Sequence, residues 1–237
     1  MWREVTDEPP MSCAAIRELD RLGVESLKIP SLLLMENAGA GAAGCILAHF
    51  ADAARRGTLV LCGPGNNGGD GLVVARLLDA ARAPVTVLLA APPEKLKGDP
   101  AVHLEIVQRL GIRILYASSS EEFAAAGQAI AAAGLIVDAL LGTGAGGPPR
   151  GVVAELIAMA NRAAAARVAI DLPSGLDADS GEAAECCFRA DATITLAAPK
   201  LGFAAPAARR VLGRVFIADI GVTPEQVTSA VASLRAR

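Results

Sequence analysis

The chain has 237 residues, of which 53% are hydrophobic and only 3% aromatic. That is enough chain to bury on the order of 70% of its unfolded surface; it excludes a disordered protein and calls for a core of Ala, Val, Leu and Ile. Twenty-two basic residues against 25 acidic ones leave a net charge of −3 with no long run of either sign, which does not suggest a phosphate-tracking nucleic-acid surface. Length alone permits one large domain or two small ones. A mean hydropathy of +0.43 raises the membrane question. The longest uncharged stretches, 37–51 and 123–137, are 15 residues each, below the ~18–20 that a spanning helix needs, so none is expected. The amino terminus is acidic and carries no apolar signal segment. Five cysteines without a CxxC pair imply reduced thiols and a cytoplasmic location. Two histidines, His49 and His103, disfavour a His-rich zinc centre or an ordinary Ser-His-Asp hydrolase.

In chain order, two helices are predicted first, over 12–22 and 31–51. Then short apolar runs at 58–62, 85–89, 113–116, 135–140, 167–172, 192–197 and 214–220 read as strands. Helical segments at 71–81, 100–110, 120–133, 152–164 and 224–234 fill the gaps. This alternation predicts βαβ units and a parallel sheet covered by helices on both faces, an α/β three-layer sandwich. Continuous apolar runs such as LVLC and LIVDALL fit strands buried on both faces. No repeat or linker divides the sequence. One domain over 10–221 is expected, with 1–9 and 222–237 as terminal extensions.

In open parallel sheets, ligands bind beyond the carboxyl ends of the strands, and the unusual residues gather there. After the first predicted strand come Gly63, Pro64, Gly65, Asn66, Asn67, Gly68, Gly69, Asp70 and Gly71. Gly63, Gly65 and Gly68 satisfy GxGxxG in a strand-turn-helix setting. The next strand, however, ends VTVLLAAPP without an acidic residue for a ribose, and Asp70 at a helix start repels a second anion. Gly68 is followed by Gly69-Asp70 rather than Lys-Ser/Thr, so this is no triphosphate loop. Backbone N–H groups, two amides and one carboxylate within a few ångströms make a ligand-binding turn a better reading than a mere chain reversal.

Asp138, inside an apolar run, is costly to bury unless hydrogen-bonded or neutralised. It precedes Gly142, Thr143, Gly144, Ala145, Gly146, Gly147 and Pro148, a second place for phosphate oxygens to which Arg150 could add a bidentate contact. Asp171 ends another strand before Pro173-Ser174-Gly175; an Asx-type turn is the bland alternative. Asp177 and Asp179 read as turn or surface residues, and Lys200 as facing either phosphate or solvent. Asn67, Asp138 and Ser174 offer oxygen ligands from three loops, a set that suits a hard cation and not zinc or iron, and its single carboxylate, few for calcium, points to a monovalent ion.

Five blocks then carry a resemblance: LMENAG at 34–39, GPGNNGGDG at 63–71, VDALLGTG at 137–144, IDLPSGLDADSG at 170–181 and TLAAPKLG at 195–202. Together they resemble the NAD(P)H-hydrate epimerases, the YjeF N-terminal domain family. The resemblance implies a Rossmann-like fold, a homodimer, and a substrate in which water has added across the nicotinamide C5–C6 bond. The enzyme interconverts the (R) and (S) hydrates, NADHX and NADPHX, so that a stereospecific dehydratase can restore the cofactor. It further implies hydrate contacts from Asn66, Asn67, Gly68, Gly69 and Asp70, from 142–148, and from Asp171, with potassium on Asn67, Asp138 and Ser174. The GTG loop departs from the family pattern at 146–149. No kinase-like dehydratase domain follows, so a stand-alone epimerase with a separate dehydratase is expected. With both histidines outside these blocks, carboxylates must move the protons, Asp171 first and Asp70 second. Asp171→Ala is expected to abolish epimerisation while leaving the fold intact. Two other classes remain: a non-catalytic nucleotide- or RNA-binding scaffold module of this fold, which the acidic balance and intact NNGGD run disfavour, and an NAD-dependent oxidoreductase, disfavoured by the missing ribose-binding acid.

Overall fold

A computed structural model describes residues 1–117 and 120–235. Helices α1 (Cys13–Glu25), α2 (Ser31–His49) and the short α3 (Ala51–Arg55) precede the main sheet strands. The strands are β1 (Trp2–Glu4), β2 (Thr58–Cys62), β3 (Val85–Leu89), β4 (Arg113–Tyr116), β5 (Leu135–Ala139), β6 (Ala166–Ile170), β7 (Ala192–Leu196) and β8 (Arg214–Ala218). Between and after them lie α4 (Asn66–Ala80), α5 (Asp99–Arg109), α6 (Ser120–Ala132), α7 (Gly151–Arg162), the four-residue α8 (Pro206–Arg209) and α9 (Pro224–Arg235). Short 3-10 turns at Pro93–Lys95 and Leu201–Ala204 complete the chain. Residues 236 and 237, the end of the expected 222–237 extension, lie outside the described residues.

The sheet has the order β1-β8-β7-β6-β5-β2-β3-β4, parallel throughout except where β1 runs antiparallel to β8. Seven of these strands lie where the apolar runs predict them. The eighth, β1, was unforeseen because WRE lacks apolar periodicity; it is made by pairing Trp2 with Ala218 and Glu4 with Phe216. Trp2 also packs edge-on against His49 and Phe216.

Alternate residues of the buried strands feed two cores, which is why the runs read as continuously apolar. Val60, Cys62, Val137 and Ala139 pack with α2, α4 and α5, whereas Leu59, Leu61 and Ile136 pack with α6 and α7. The result is the predicted three-layer α/β/α sandwich. Helix α2 is, by length and composition, apolar enough to cross a membrane despite the contrary expectation, because Glu36 is a single charge in a long apolar run. Half of it is buried inside the protein. Its small residues are the reason: a Cβ on Gly39 would lie 2.4 Å from Val73 of α4, and one on Gly41 2.9 Å from Ala218 of β8. The alanine- and glycine-heavy composition thus appears as close helix-on-sheet packing.

Strand β2 sends its crossover through α4 to β3 on one side, and β5 sends its own through α7 to β6 on the other. Because β2 and β5 are neighbours, the outgoing chains diverge and leave a crevice at this switch point.

Candidate functional site

The turn after β2 is shorter than the glycine-rich run suggests. Only Gly63, Pro64 and Gly65 are non-helical; α4 starts at Asn66, five residues earlier than the predicted 71, so Asn67 and Asp70 sit on its first turns. Gly68 and Gly69 are buried there and serve close approach. A Cβ on Gly68 would fall 1.9 Å from the Gly63 carbonyl oxygen, and one on Gly69 2.6 Å from Met35. Gly65, Asn66 and Asn67 of that helix start line the crevice, and the first N–H groups of a helix lack an intrahelical partner.

Above the switch point lies a cavity of about 590 Å³. Asn66, Asn67, Asp70, Gly142, Thr143, Gly144, Ala145 and Asp171 all line it, joined by Ile16, Arg17 and Asp20 of α1 and by Leu34, Met35 and Ala38 of α2. A second cavity of about 390 Å³ adjoins it; it shares Arg17, Leu141, Gly142, Thr143 and Ala145, and receives Gly147 and Pro148. Gly68, Gly69 and Gly146 line neither cavity, and Arg150 is exposed and lines neither. The residue before it, Pro149, is buried, 3.0 Å from the Cβ position of Gly175.

Asp171 has a left-handed backbone (φ +67°) just past β6. Its Oδ2 accepts the Thr143 N–H at 3.1 Å and its Oδ1 lies 2.8 Å from Lys200 Nζ. This is a bridge to a neighbouring loop, not the local Asx turn that was the bland alternative. Lys200 is 0% exposed and donates to the carbonyls of Leu196 at 2.9 Å and Ala198 at 3.2 Å. It faces neither phosphate nor solvent, because every direction open to its ammonium ends in a protein oxygen. Asp70 is 6% exposed, and burial, reinforced by the charges of Asp171 and Asp20, drives its carboxyl well above the usual range. Asp20 lines the cavity with part of its surface still exposed, and desolvation by the neighbouring protein together with the Asp171 charge pushes its carboxyl up to about 6.

Asp138 and Ser174 lie outside the cavity lining and connect to Asn67 through Leu141. Ser174 donates its N–H (2.8 Å) and its hydroxyl (2.7 Å) to Asp138, and Leu140 N–H adds a third bond at 3.1 Å. Ser174 Oγ accepts from Leu141 N–H at 2.9 Å, while Asn67 Nδ2 donates to the Leu141 carbonyl at 2.8 Å. Burial pushes Asp138 up to about 6 against the pull of these bonds. Asn67 Oδ1 is buried without a hydrogen-bond partner, an oxygen left over for a ligand. Asp177 is a turn residue as expected: its Oδ1 accepts from Asp179 N–H, Ser180 N–H and the Ser180 hydroxyl, which hold its carboxyl below the usual range. Asp179 caps α1 through Cys13 N–H at 2.8 Å. Neither histidine lines either cavity.

Sequence reasoning missed Asp20 and Arg17. On α1, where Ile16, Leu19 and Gly23 are buried, both read as members of a solvated polar face, and no local signal marks them. Arg17 Nη2 donates to the Thr143 carbonyl at 3.3 Å and stands between the two cavities.

Residues 31–202 match the family described as YjeF-related protein N-terminus. The chain is 44% identical over 226 residues to an NAD(P)H-hydrate epimerase of Rhodopirellula baltica, an alignment that covers 95% of this chain and 89% of that one. It is 43% identical over 220 residues to a bifunctional NAD(P)H-hydrate repair enzyme Nnr of Moorella thermoacetica, covering 92% of this chain and 42% of the larger protein. The fold matches the crystal structure of yeast ynu0 with a TM-score of 0.73 at 23% identity, over 85% of this chain and 86% of that one. With most of its length matched in sequence and the corresponding fold in place, the chain belongs to the YjeF-related protein N-terminus family.

Proposed function

We infer that the chain is an isomerase that epimerises the hydrates of NADH and NADPH at nicotinamide C6. The observation that carries this is the pairing of two buried carboxylates in contrasting surroundings at one cavity: Asp70, where burial favours the protonated form, and Asp171, which lies 2.8 Å from the Lys200 ammonium. A carboxyl whose burial favours its proton, beside a carboxylate held by a fixed cation, offers the donor and the acceptor that acid–base chemistry needs. Inversion breaks the C6–O bond as an acid protonates the departing hydroxyl, which leaves as water. The nitrogen lone pair forms an iminium, favoured beside the carboxylates; water then adds to the other face as a base takes its proton. Asp70 is suited to give the proton and Asp171 to receive one.

The residues present fit a potassium ion, since the orphaned Asn67 Oδ1 belongs to a side chain bonded to Leu141, the residue that also bonds the Asp138-paired Ser174, and the set is all oxygen. Asn67, Asp138 and Ser174 would hold it. Such an ion supplies a fixed positive charge that ties the three loops together. The bifunctional relative's name joins hydrate repair activities in one chain, and the product here passes to a hydrate dehydratase. Leu32 and Leu33, exposed on α2, are the apolar surface that a homodimer would cover. Five free thiols suit the cytoplasm.

The test incubates the chain with acid-generated NADHX and an (S)-specific dehydratase. The (R) epimer is expected to be consumed with the (S) form. Decay of the (R) form at its spontaneous rate refutes the reading.

A further inference from the structure

Lys200 is buried to 0% exposure, and its ammonium has three protons to place. Leu196 O, Ala198 O and Asp171 Oδ1 take one each, at 2.9, 3.2 and 2.8 Å. No donor remains for a substrate, so Lys200 can act on the reaction only through Asp171. The segment that carries it is clamped: Met11 N–H donates to the Pro199 carbonyl at 2.8 Å, and Leu201 N–H to the Met11 carbonyl at 3.1 Å. Asp171 is gripped on its other side by Thr143 N–H and holds a left-handed backbone that needs such support. The titratable groups facing this centre are Asp20 and the Cys13 thiol from α1, Asp70 from α4 and Asp99 from α5, with Arg17 at the rim. Among the described residues that line or underlie the cavity, Lys200 is the buried cation that faces these carboxylates.

We propose that Lys200 is a positioning residue for the epimerisation, aiming the Asp171 carboxylate into the cavity and supplying the charge that lets Asp171, Asp70 and Asp20 share it. This rests on the epimerase reading above. The Lys200 charge also draws the carboxyls of Asp70 and Asp20 down against their burial. Its removal therefore moves the ionisation of the cluster to higher pH.

The experiment measures kcat/KM for NADHX epimerisation from pH 5 to 9 in the unmodified chain, Lys200→Met and Lys200→Arg. Lys200→Met is expected to fall about tenfold at neutral pH, with its acid limb displaced upward by about one pH unit and the deficit narrowing as pH rises. Lys200→Arg keeps the limb of the unmodified chain even where kcat drops, because the charge stays. A uniform loss in Lys200→Met at every pH, or superimposable profiles, overturns the proposal. Inactivity of the unmodified chain overturns the epimerase reading and this inference with it. Where Lys200→Met does not fold, 15N-lysine labelling decides. One exchange-protected ammonium signal is expected in the unmodified chain and is lost in Asp171→Asn; absence of that signal, or its survival in Asp171→Asn, overturns the proposal.

Discussion

Asp70 and Asp171 are both buried carboxylates, yet substitution affects them in opposite ways. Asp70 binds its proton more tightly folded than unfolded, so stability is greatest at low pH and is lost as pH rises from the ordinary carboxylate range through the folded value. Asp70→Asn removes that loss. It is expected to melt higher than the unmodified chain at pH 8, by about 1–2 kcal/mol, while kcat/KM falls at least ~100-fold; paired melts at pH 5 and 8 with the coupled assay check both. Asp171→Ala does the reverse to the fold. It strands the Lys200 ammonium without its counter-charge, a change worth about 3 kcal/mol, so the expectation from sequence that this variant leaves the fold intact needs revision. A fall in Tm well beyond that of Asp171→Asn is the expected outcome. For the oxygen cluster, exchanging potassium for tetramethylammonium is expected to lower the Tm, and Asn67→Ala to abolish the difference, because Asn67 brings the unpartnered oxygen.

At the scale of elements, the turn between β2 and α4 is set by backbone approach rather than by looseness. Gly63 and Gly68 each lie against backbone too closely for a Cβ: the added atom would sit 1.9 Å from Leu140 O at the first and 1.9 Å from Gly63 O at the second. Gly65, between them, has nothing within 4 Å and an ordinary extended backbone. Gly68→Ala is therefore expected to lose more than about 3 kcal/mol or fail to fold, whereas Gly65→Ala keeps a Tm within ~2 °C of the unmodified chain; denaturant melts of the pair distinguish them. From the sequence this stretch was legible as a strand-turn-helix ligand site. Its helix start was not, because two glycines and two asparagines have poor helix propensity and only packing of α4 against Met35, Ala139 and Gly63 makes those residues helical.

Across the whole molecule, the segment before Met11 is an edge strand. Removing residues 1–10 uncovers the β8 backbone and strips Trp2 from Phe216 and His49. A chain beginning at Met11 is expected to lose about 3 kcal/mol, roughly 6–12 °C in Tm, and to self-associate through the freed edge. Thermal melts with light scattering test this. Only the sheet could reveal this role, since three polar-flanked residues carry no periodicity of their own.

Strands β2 to β8, the three-layer architecture and the chemistry-bearing blocks were all readable in the sequence, because burial within the sheet writes apolar runs and strand ends collect glycine and aspartate. Asp138 and Asp171 stood out because a polar group at an apolar strand needs an explanation, and Asp70 and Ser174 because they sit in glycine-containing turns at strand ends. Which of them line the cavity and which lie outside its lining, where the Lys200 ammonium points, and that Asp20 of α1 joins the cluster were decided by tertiary structure alone. Each depends on groups far apart in sequence meeting at the switch point between β2 and β5. A local pattern records that a side chain is polar; only the packed neighbours determine its partner, its burial and hence its proton.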